Sequence, residues 1–260
     1  MSRIRNKAHI FLSSYERMNS IFENKFGYSL YFIGGTLLGY VRENDFLAND
    51  KDMDVSYFSK YENVEDVRKE LIYIVNSLLD DGEDLFLIRK DYSIVKNYFR
   101  WSVDERDRID IMPSWYQDGM LFRPTFVGYK GTKDLILPLH KKKFYNHDVY
   151  IPNNPETKLA NVYGDDWRIP DPSFKKGTRK NDFTQQVIDQ DLCYGNEKWK
   201  IVKKTNQWKE LSFFEKTFMT LIQARRNKIL ARIIPNKNFY SNPFFKGLRK
   251  IIIKKKKTGE

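Results

Sequence analysis

The feature that most constrains the fold is a glycine pair that ends an apolar run and is followed by evenly spaced aspartates. The segment FIGGTLLGYVRENDFLANDKDMDVSYF begins at Phe32, and it places aspartate at positions 50, 52 and 54. The apolar residues SLYFI predict a short buried strand that runs directly into Gly34 and Gly35. A short helix with Thr36 as its cap is expected next, and DMDVSYF alternates well enough to predict a second strand.

The remaining patterns alternate between helix and strand. Apolar residues recur at three- and four-residue intervals over residues 5–26 and again over residues 64–79, which predicts two amphipathic helices. The later runs DLFLIRK, YSIVKNYFRW and RDRIDIMPSW are rich in β-branched and aromatic residues and predict strands. This interleaving predicts an α/β or α+β class with a mixed sheet flanked by helices.

Composition excludes several classes of protein. A hydrophobic content of 41% over 260 residues is sufficient for a packed core. No apolar run approaches the ~18 residues of a membrane span, and the polar N-terminus does not suit a signal peptide, so a cytoplasmic location is expected. The single cysteine, Cys193, excludes an internal disulfide and a cysteine-cluster zinc site. The three histidines do not have the spacing of a helical metal site.

Charge divides the chain into two predicted regions. Residues 196–260 hold 18 Lys and Arg against 4 Asp and Glu, a net charge of +14, whereas residues 1–195 carry −2. We therefore predict a catalytic domain over residues 1–195 and a basic helical appendage over residues 196–260. An apolar stripe in the appendage suits either core packing or an anionic membrane surface.

The aspartates predict a site for a hard cation. Wherever the chain is extended, Asp50, Asp52 and Asp54 share one face, and three adjacent carboxylates repel one another unless a cation neutralises them. Magnesium suits such a site because it prefers a few carboxylates together with substrate phosphate oxygens, and manganese is the alternative. Asp110, on a strand between Ile109 and Ile111, is predicted to be either a further metal ligand or the general base.

The glycine turn predicts a binding site for phosphate. After a strand, the backbone N–H groups of Gly34, Gly35 and Thr36 are free to approach a phosphate, so these residues are candidate substrate-binding residues. Arg42 is a candidate contact to donor phosphate, although a surface ion pair is the alternative. Together with the carboxylates, these residues suit phosphoryl-type transfer, which depends mainly on positioning and charge neutralisation.

These motifs resemble the LicD and fukutin family of the nucleotidyltransferase superfamily. GGTLLGYVRENDFLANDKDMDV is similar to the family's glycine segment and aspartate-rich metal motif, and Asp50, Asp52 and Asp54 match that motif position by position. RIDIMPSW is similar to its Asp-Ile-x-Pro segment, and the closing motifs extend the resemblance to Pro172. Before the aspartates the chain has LAND, where many relatives carry Trp-Asp or His. Its KDMD sequence is more similar to that of the fukutin members of the family.

The resemblance implies a nucleotidyltransferase-like fold and a specific reaction. A magnesium-dependent enzyme of this family transfers a phosphorylated alcohol from a CDP-linked donor to a sugar hydroxyl and releases CMP. The transferred group is expected to be ribitol phosphate, glycerol phosphate or phosphocholine. The likeness to the fukutin members slightly favours a polyol phosphate. The acceptor is a cell-surface glycan or its lipid-linked precursor, so the basic tail would place the enzyme at the inner face of the membrane.

The sequence is also compatible with two other functions. An Asp-x-Asp motif also occurs in glycosyltransferases that hold a nucleotide sugar through manganese, although here the glycine pair precedes the aspartates. The basic tail with Trp199, Trp208, Phe239 and Tyr240 is compatible with nucleic-acid binding, but it carries no recognisable nucleic-acid motif, so no nucleic-acid partner is expected.

The segment NVYGDDW has two interpretations. Tyr163, Asp165, Asp166 and Trp167 could close the acceptor site. Alternatively Gly164 ends a helix and the aromatic residues pack in the core, which is the interpretation we favour.

Overall fold

The computed structural model describes residues 3–89, 94–95, 98–123, 127–171, 186–187 and 197–226. The chain divides into two compact units. The first unit contains residues 1–85 and 96–198, and the second contains residues 86–95 and 199–260. The predicted strand residues Tyr92 and Ser93 and the tail beyond residue 226 lie outside the described residues.

The helices and strands interleave as the sequence predicts. The helices are α1 (Arg3–Asn6), α2 (Ala8–Phe26), α3 (Gly34–Glu43), α4 (Val64–Asp80), α5 (Pro155–Tyr163), α6 (Lys198–Lys204), α7 (Asn206–Glu210) and α8 (Phe213–Arg226). The strands are β1 (Tyr31–Phe32), β2 (Met53–Phe58), β3 (Leu85–Phe86), β4 (Phe99–Ser102), β5 (Arg108–Gln117), β6 (Met120–Arg123), β7 (Val127–Lys130), β8 (His140–Phe144), β9 (His147–Ile151) and β10 (Gln186–Val187).

The sheet is mixed, which confirms the predicted α/β class. Its strand order is β10-β7-β6-β5-β2-β1-β9-β8, and β4 pairs with β5 beside this path. The central pair, β2 and β5, is parallel, whereas β1 pairs with β2 and β4 pairs with β5 in antiparallel fashion. The C-terminal end of β1 and the N-terminal ends of β2 and β5 therefore lie at one edge of the sheet, where the aspartates are found.

Helix α2 covers part of the sheet with the face that its apolar spacing predicts. Phe11, Leu12, Met18 and Phe22 are fully buried. The helix ends at Gly27, which has the left-handed conformation that favours glycine. The single predicted helix is interrupted at Lys7, whose ammonium group forms ion pairs with Asp104 and Asp107.

The second unit has a polar link inside it. The side-chain carbonyl of Gln207 on α7 accepts hydrogen bonds from the backbone N–H groups of Leu87 and Ile88, and its amide donates to the Ile88 carbonyl. Ile201 and Val202 on α6 and Met219 on α8 are buried. Phe214 is 44% exposed on α8, so it is not part of a buried stripe. Within the described residues no helix has both the length and the apolarity needed to cross a membrane.

Candidate active site

The aspartate motif lies at the entry to β2 rather than along it. Strand β2 begins at Met53, so only Asp54 lies in the strand, while Asp50 and Asp52 lie in the loop before it. The shared face expected of an extended chain therefore does not follow from β2 for Asp50 and Asp52, which lie outside the strand. The three carboxylates are nevertheless close enough for the charges of Asp52 and Asp54 to act on Asp50.

Asp110 lies directly beside Asp54. The parallel register of β2 and β5 pairs Asp54 with Asp110, so their side chains leave the same face of the sheet on neighbouring strands. Ile109 and Ile111 are fully buried on the opposite face, as the alternation predicts. The structure thus brings Asp110 together with the aspartate motif, although the two lie far apart in the sequence.

The two glycines let the carboxylates approach the backbone at the start of α3. A methyl group added at Gly34 would lie 2.9 Å from Oδ2 of Asp54, and one added at Gly35 would lie 3.1 Å from both carboxylate oxygens of Asp50. Gly34 also has φ +56°, a conformation that side-chain-bearing residues rarely adopt. The turn and the carboxylates therefore form one site.

The side chain of Thr36 bonds to the start of β2 and does not cap helix α3. The predicted cap is wrong, because α3 begins at Gly34 with Ile33 as its N-cap residue. Thr36 is 1% exposed, and its hydroxyl oxygen accepts a hydrogen bond of 2.9 Å from the backbone N–H of Asp54. This bond fixes the start of β2 against the first turn of α3.

The electrostatics of the loop suit a bound cation. Burial, together with the charges of Asp52, Asp54 and Glu43, raises the pKa of Asp50 to about 7. The buried Oδ2 atom of Asp50 has no hydrogen-bond partner among the described residues. A divalent cation would supply both the missing partner and the missing charge, so the residues fit a hard metal ion.

The carboxylates are not arranged as a preformed metal cage. Among the described residues, no group of three His, Cys, Asp or Glu side chains has the arrangement needed to hold a metal ion. Neighbouring carboxylates repel one another when no cation offsets their charge.

Arg42 is fixed by the protein on most of its guanidinium group. Nη1 donates to the carbonyl of Trp167, and Nη2 pairs with Glu43 at 3.0 Å. Its buried Nε has no hydrogen-bond partner among the described residues. Nη2 thus forms the ion pair that was the alternative, whereas the contact of Arg42 with donor phosphate stays a prediction, for which Nε is a donor without a partner among the described residues.

The segment that follows α5 divides between the core and the site. Gly164 ends α5 as predicted, and Trp167 is buried while Asp165 and Asp166 are exposed. Burial raises the pKa of the Tyr163 hydroxyl to about 12. The charges that act on this hydroxyl belong to Arg123, Asp54, Asp50 and Arg42, so Tyr163 lies beside the carboxylates.

Two arginines near the carboxylates were not among the sequence candidates. Arg123 at the end of β6 acts electrostatically on Tyr163, and its buried Nε has no hydrogen-bond partner in the described part of the chain. Arg100 on β4 pairs with Asp110 in the strand register. The apolar neighbours Phe99 and Trp101 give Arg100 the alternation of a strand, but only the register shows what it faces.

Comparison with known proteins identifies the family of this site. Residues 27–154, which include the glycine turn, the aspartates, Arg100 and Asp110, match the model of the LicD/FKTN/FKRP nucleotidyltransferase domain. This part of the chain is similar to the LicD-family nucleotidyltransferase domain. The predicted resemblance to the LicD and fukutin family is confirmed over this range.

More distant comparisons add little to the LicD-family assignment. No curated protein sequence matches the chain. A solved structure of the lincosamide antibiotic adenylyltransferase LnuA, lincomycin-bound, is similar with 13% identity and a TM-score of 0.33, covering 53% of this chain and 77% of that one. Similarity at this level carries no argument about function.

Proposed function

We propose that the protein transfers a phosphorylated alcohol from a CDP-linked donor to a sugar hydroxyl, in a magnesium-dependent reaction. The alcohol is ribitol phosphate, glycerol phosphate or phosphocholine, and the acceptor is a cell-surface polysaccharide or its lipid-linked precursor. The observation that carries the proposal is the pairing of Asp54 with Asp110 beside the Gly34–Gly35 turn, within the residues that match the LicD family.

The reaction assigns different tasks to the two ends of this site. The acceptor hydroxyl oxygen attacks the phosphorus atom that bears the alcohol, a new P–O bond forms, and the P–O bond to CMP breaks. The departing CMP oxygen keeps the electron pair. As the base, Asp110 would take the proton of the attacking hydroxyl, and its carboxylate must then lie within hydrogen-bond distance of that hydroxyl.

Asp50, Asp52 and Asp54 would hold the cation, and Asp110 would be either a further ligand or the base. When bound, magnesium offsets the negative charge of the donor phosphates and of the departing CMP. The backbone N–H groups of Gly34 and Gly35 at the start of α3, together with Nε of Arg42, would donate to phosphate oxygens of the donor.

Donor screening tests this proposal. The full chain is incubated with CDP-ribitol, CDP-glycerol or CDP-choline, magnesium and candidate acceptor glycans, and released CMP is measured. Asp52→Ala and Asp54→Asn should abolish release while leaving thermal unfolding nearly unchanged. Full turnover by either variant would exclude the metal assignment. Release of a nucleoside diphosphate from a nucleotide sugar would instead favour a glycosyltransferase.

The proposed location follows from the acceptor and from charge. A lipid-linked acceptor is reached at the inner face of the membrane, and each cation near anionic lipid contributes about 1 kcal/mol. Residues 196–260 carry a net charge of +14. Co-sedimentation with anionic but not neutral vesicles is the expected result. Equal binding to RNA at the same salt concentration would contradict it, because a nucleic-acid partner is not expected.

A further inference from the structure

Three charged residues form a row across neighbouring strands. The register pairs Asp54 on β2 with Asp110 on β5, and Asp110 with Arg100 on β4. Directly paired residues point to the same face, and their Cα atoms lie about 5 Å apart. We call these three residues the cross-strand row. Arg100 is therefore the next side chain beyond Asp110 on the face that carries the candidate site.

The guanidinium group of Arg100 has an empty fork. Its Nε and Nη2 atoms are buried, and neither has a hydrogen-bond partner among the described residues. These two nitrogens lie on one edge of the guanidinium plane and can donate two parallel hydrogen bonds to a carboxylate or a phosphate. Buried donors without hydrogen bonds lower stability, and an oxyanion bound to these two nitrogens would supply the missing acceptors.

Arg108 shows how a structural arginine is satisfied on the same strands. It precedes Asp110 by two residues and shares its face, and its guanidinium donates to the backbone carbonyls of Asp104, Glu105 and Asp107. Arg100 differs from it, because its Nε and Nη2 have no such carbonyl partners among the described residues.

We propose that Arg100 forms a subsite for an oxyanion of the substrate, a phosphate or a carboxylate, held by Nε and Nη2 beside Asp110. The inference deepens the proposed function and rests on it for the identity of the reaction. It concerns a group that neither the glycine turn nor the aspartate motif would hold.

The order of the row indicates which substrate carries this oxyanion. Gly34 follows β1, which flanks β2 on the side away from β5, so the phosphate-binding turn lies at one end of the site. Arg100 lies at the other end, beyond the candidate base Asp110. An acceptor whose hydroxyl reaches Asp110 would extend toward Arg100, which favours an acceptor that itself bears a phosphate or carboxylate. A donor phosphate is the other source of the same chemistry.

The test uses four forms of the full chain. Arg100→Gln removes both the charge and the fork, and Arg100→Lys keeps the charge but removes the fork. Arg106→Gln is the control, because Arg106 is exposed and the substitution changes the net charge equally. Thermal unfolding should show Arg100→Gln to be at least as stable as the unmodified chain, since Nε and Nη2 have no partner to lose among the described residues.

Binding is measured with inorganic phosphate and with CDP, each by calorimetry and without added acceptor. Loss of two charge-assisted hydrogen bonds should weaken the affected ligand about tenfold or more in Arg100→Gln, less in Arg100→Lys and not in Arg106→Gln. If phosphate still binds the CDP-saturated chain and Arg100→Gln removes that binding, the acceptor supplies the oxyanion. If CDP displaces phosphate and itself binds Arg100→Gln weakly, the donor supplies it.

Unchanged affinity of Arg100→Gln for both ligands would overturn the subsite. So would a large loss of thermal stability in Arg100→Gln together with normal binding in Arg100→Lys, which would indicate a structural arginine. These outcomes are separate from failure of the proposed function. A chain that binds phosphate through Arg100 but releases no CMP from any CDP-linked donor would retain the subsite and lose the proposed reaction.

Discussion

The hydroxyl of Thr36 and the backbone N–H of Asp54 form a 2.9 Å hydrogen bond between the first turn of α3 and the start of the aspartate strand. This contact joins the two motifs that the sequence places 18 residues apart. It sets the position of Asp54 relative to Gly34, whose backbone lies against the same carboxylate. Thr36 is thus a positioning residue.

Thr36→Val should retain the shape of the side chain and remove the acceptor. We expect a loss of about 1–3 kcal/mol in the free energy of unfolding, because the N–H of Asp54 loses a buried partner. Transfer should fall about ten- to a hundredfold, since small displacements of reacting groups have effects of that size. Thr36→Ser should recover both properties. Normal transfer by the valine variant would show that the bond does not position Asp54.

Gly34→Ala tests whether the glycine turn is required by the site or only by the backbone. The substitution strains a backbone at φ +56° and places a methyl group 2.9 Å from Oδ2 of Asp54, so the carboxylate must move. Gly82 is a matched control, with φ +86° and no heavy atom within 4 Å of an added methyl group. Both alanine variants should lose about 1–2 kcal/mol of stability through the backbone.

Activity should separate these two variants. Gly34→Ala should lose transfer and bind manganese more weakly, whereas Gly82→Ala should keep both at the level of the unmodified chain. Gly35→Ala is expected to lie between them, because its methyl group would meet the Asp50 carboxylate at 3.1 Å. Equal activity of the Gly34 and Gly82 variants would mean that the turn serves the fold alone.

Asp110→Asn separates three roles of the carboxylate beside Asp54. If Asp110 is the base, donor and magnesium affinity should persist while transfer to the acceptor falls by a factor of about 10²–10⁴. If it is a metal ligand, metal affinity and transfer should fall together. A purely structural role would lower the unfolding temperature and leave the chemistry intact. Calorimetry, transfer rates and thermal unfolding on one preparation distinguish these results.

The sequence predicted those parts of the fold that depend on local periodicity. The buried face of α2, its end at Gly27 and the end of α5 at Gly164 follow from apolar spacing and from the conformations that glycine favours. The loop before β2 did not follow from alternation. Its asparagines and aspartates bond readily to nearby backbone and favour turns, and Asn44 begins the loop in the left-handed region.

The arginines of the site were missed for a different reason. The position of Arg100 beside Asp110 depends on the register between two strands, and that of Arg123 near Tyr163 depends on how β6 and α5 meet. Neither relationship can be predicted from the local sequence pattern. The role of Thr36 was likewise not visible in the local sequence. Threonine is a common helix-cap residue, but here it lies inside α3 because the helix begins at Gly34.

Lys158 on α5 is a buried amine whose charge state should control stability with pH. It is 3% exposed, its amine nitrogen lies over the rings of Tyr31 and Tyr129, and this Nζ donates to the Tyr129 hydroxyl at 3.4 Å. Burial, and then the nearby charge of Arg123, lower the pKa of Lys158 to about 7. The ordinary value in an unfolded chain is 10.5.

The sign of the effect follows from proton counts. Between pH 7 and 10.5 the unfolded chain binds the Lys158 proton and the folded chain does not, so stability rises with pH across this window. Lys158→Met should remove that rise, which at about 1.4 kcal/mol per pKa unit amounts to roughly 3–5 kcal/mol. The methionine variant should therefore be more stable than the unmodified chain at pH 6, and this advantage should shrink toward pH 10.

Denaturant unfolding at pH 6, 8 and 10 measures the difference, with Lys142→Met as an exposed control that should show no such trend. Parallel pH curves for Lys158→Met and the unmodified chain would mean that the amine keeps its proton inside the fold.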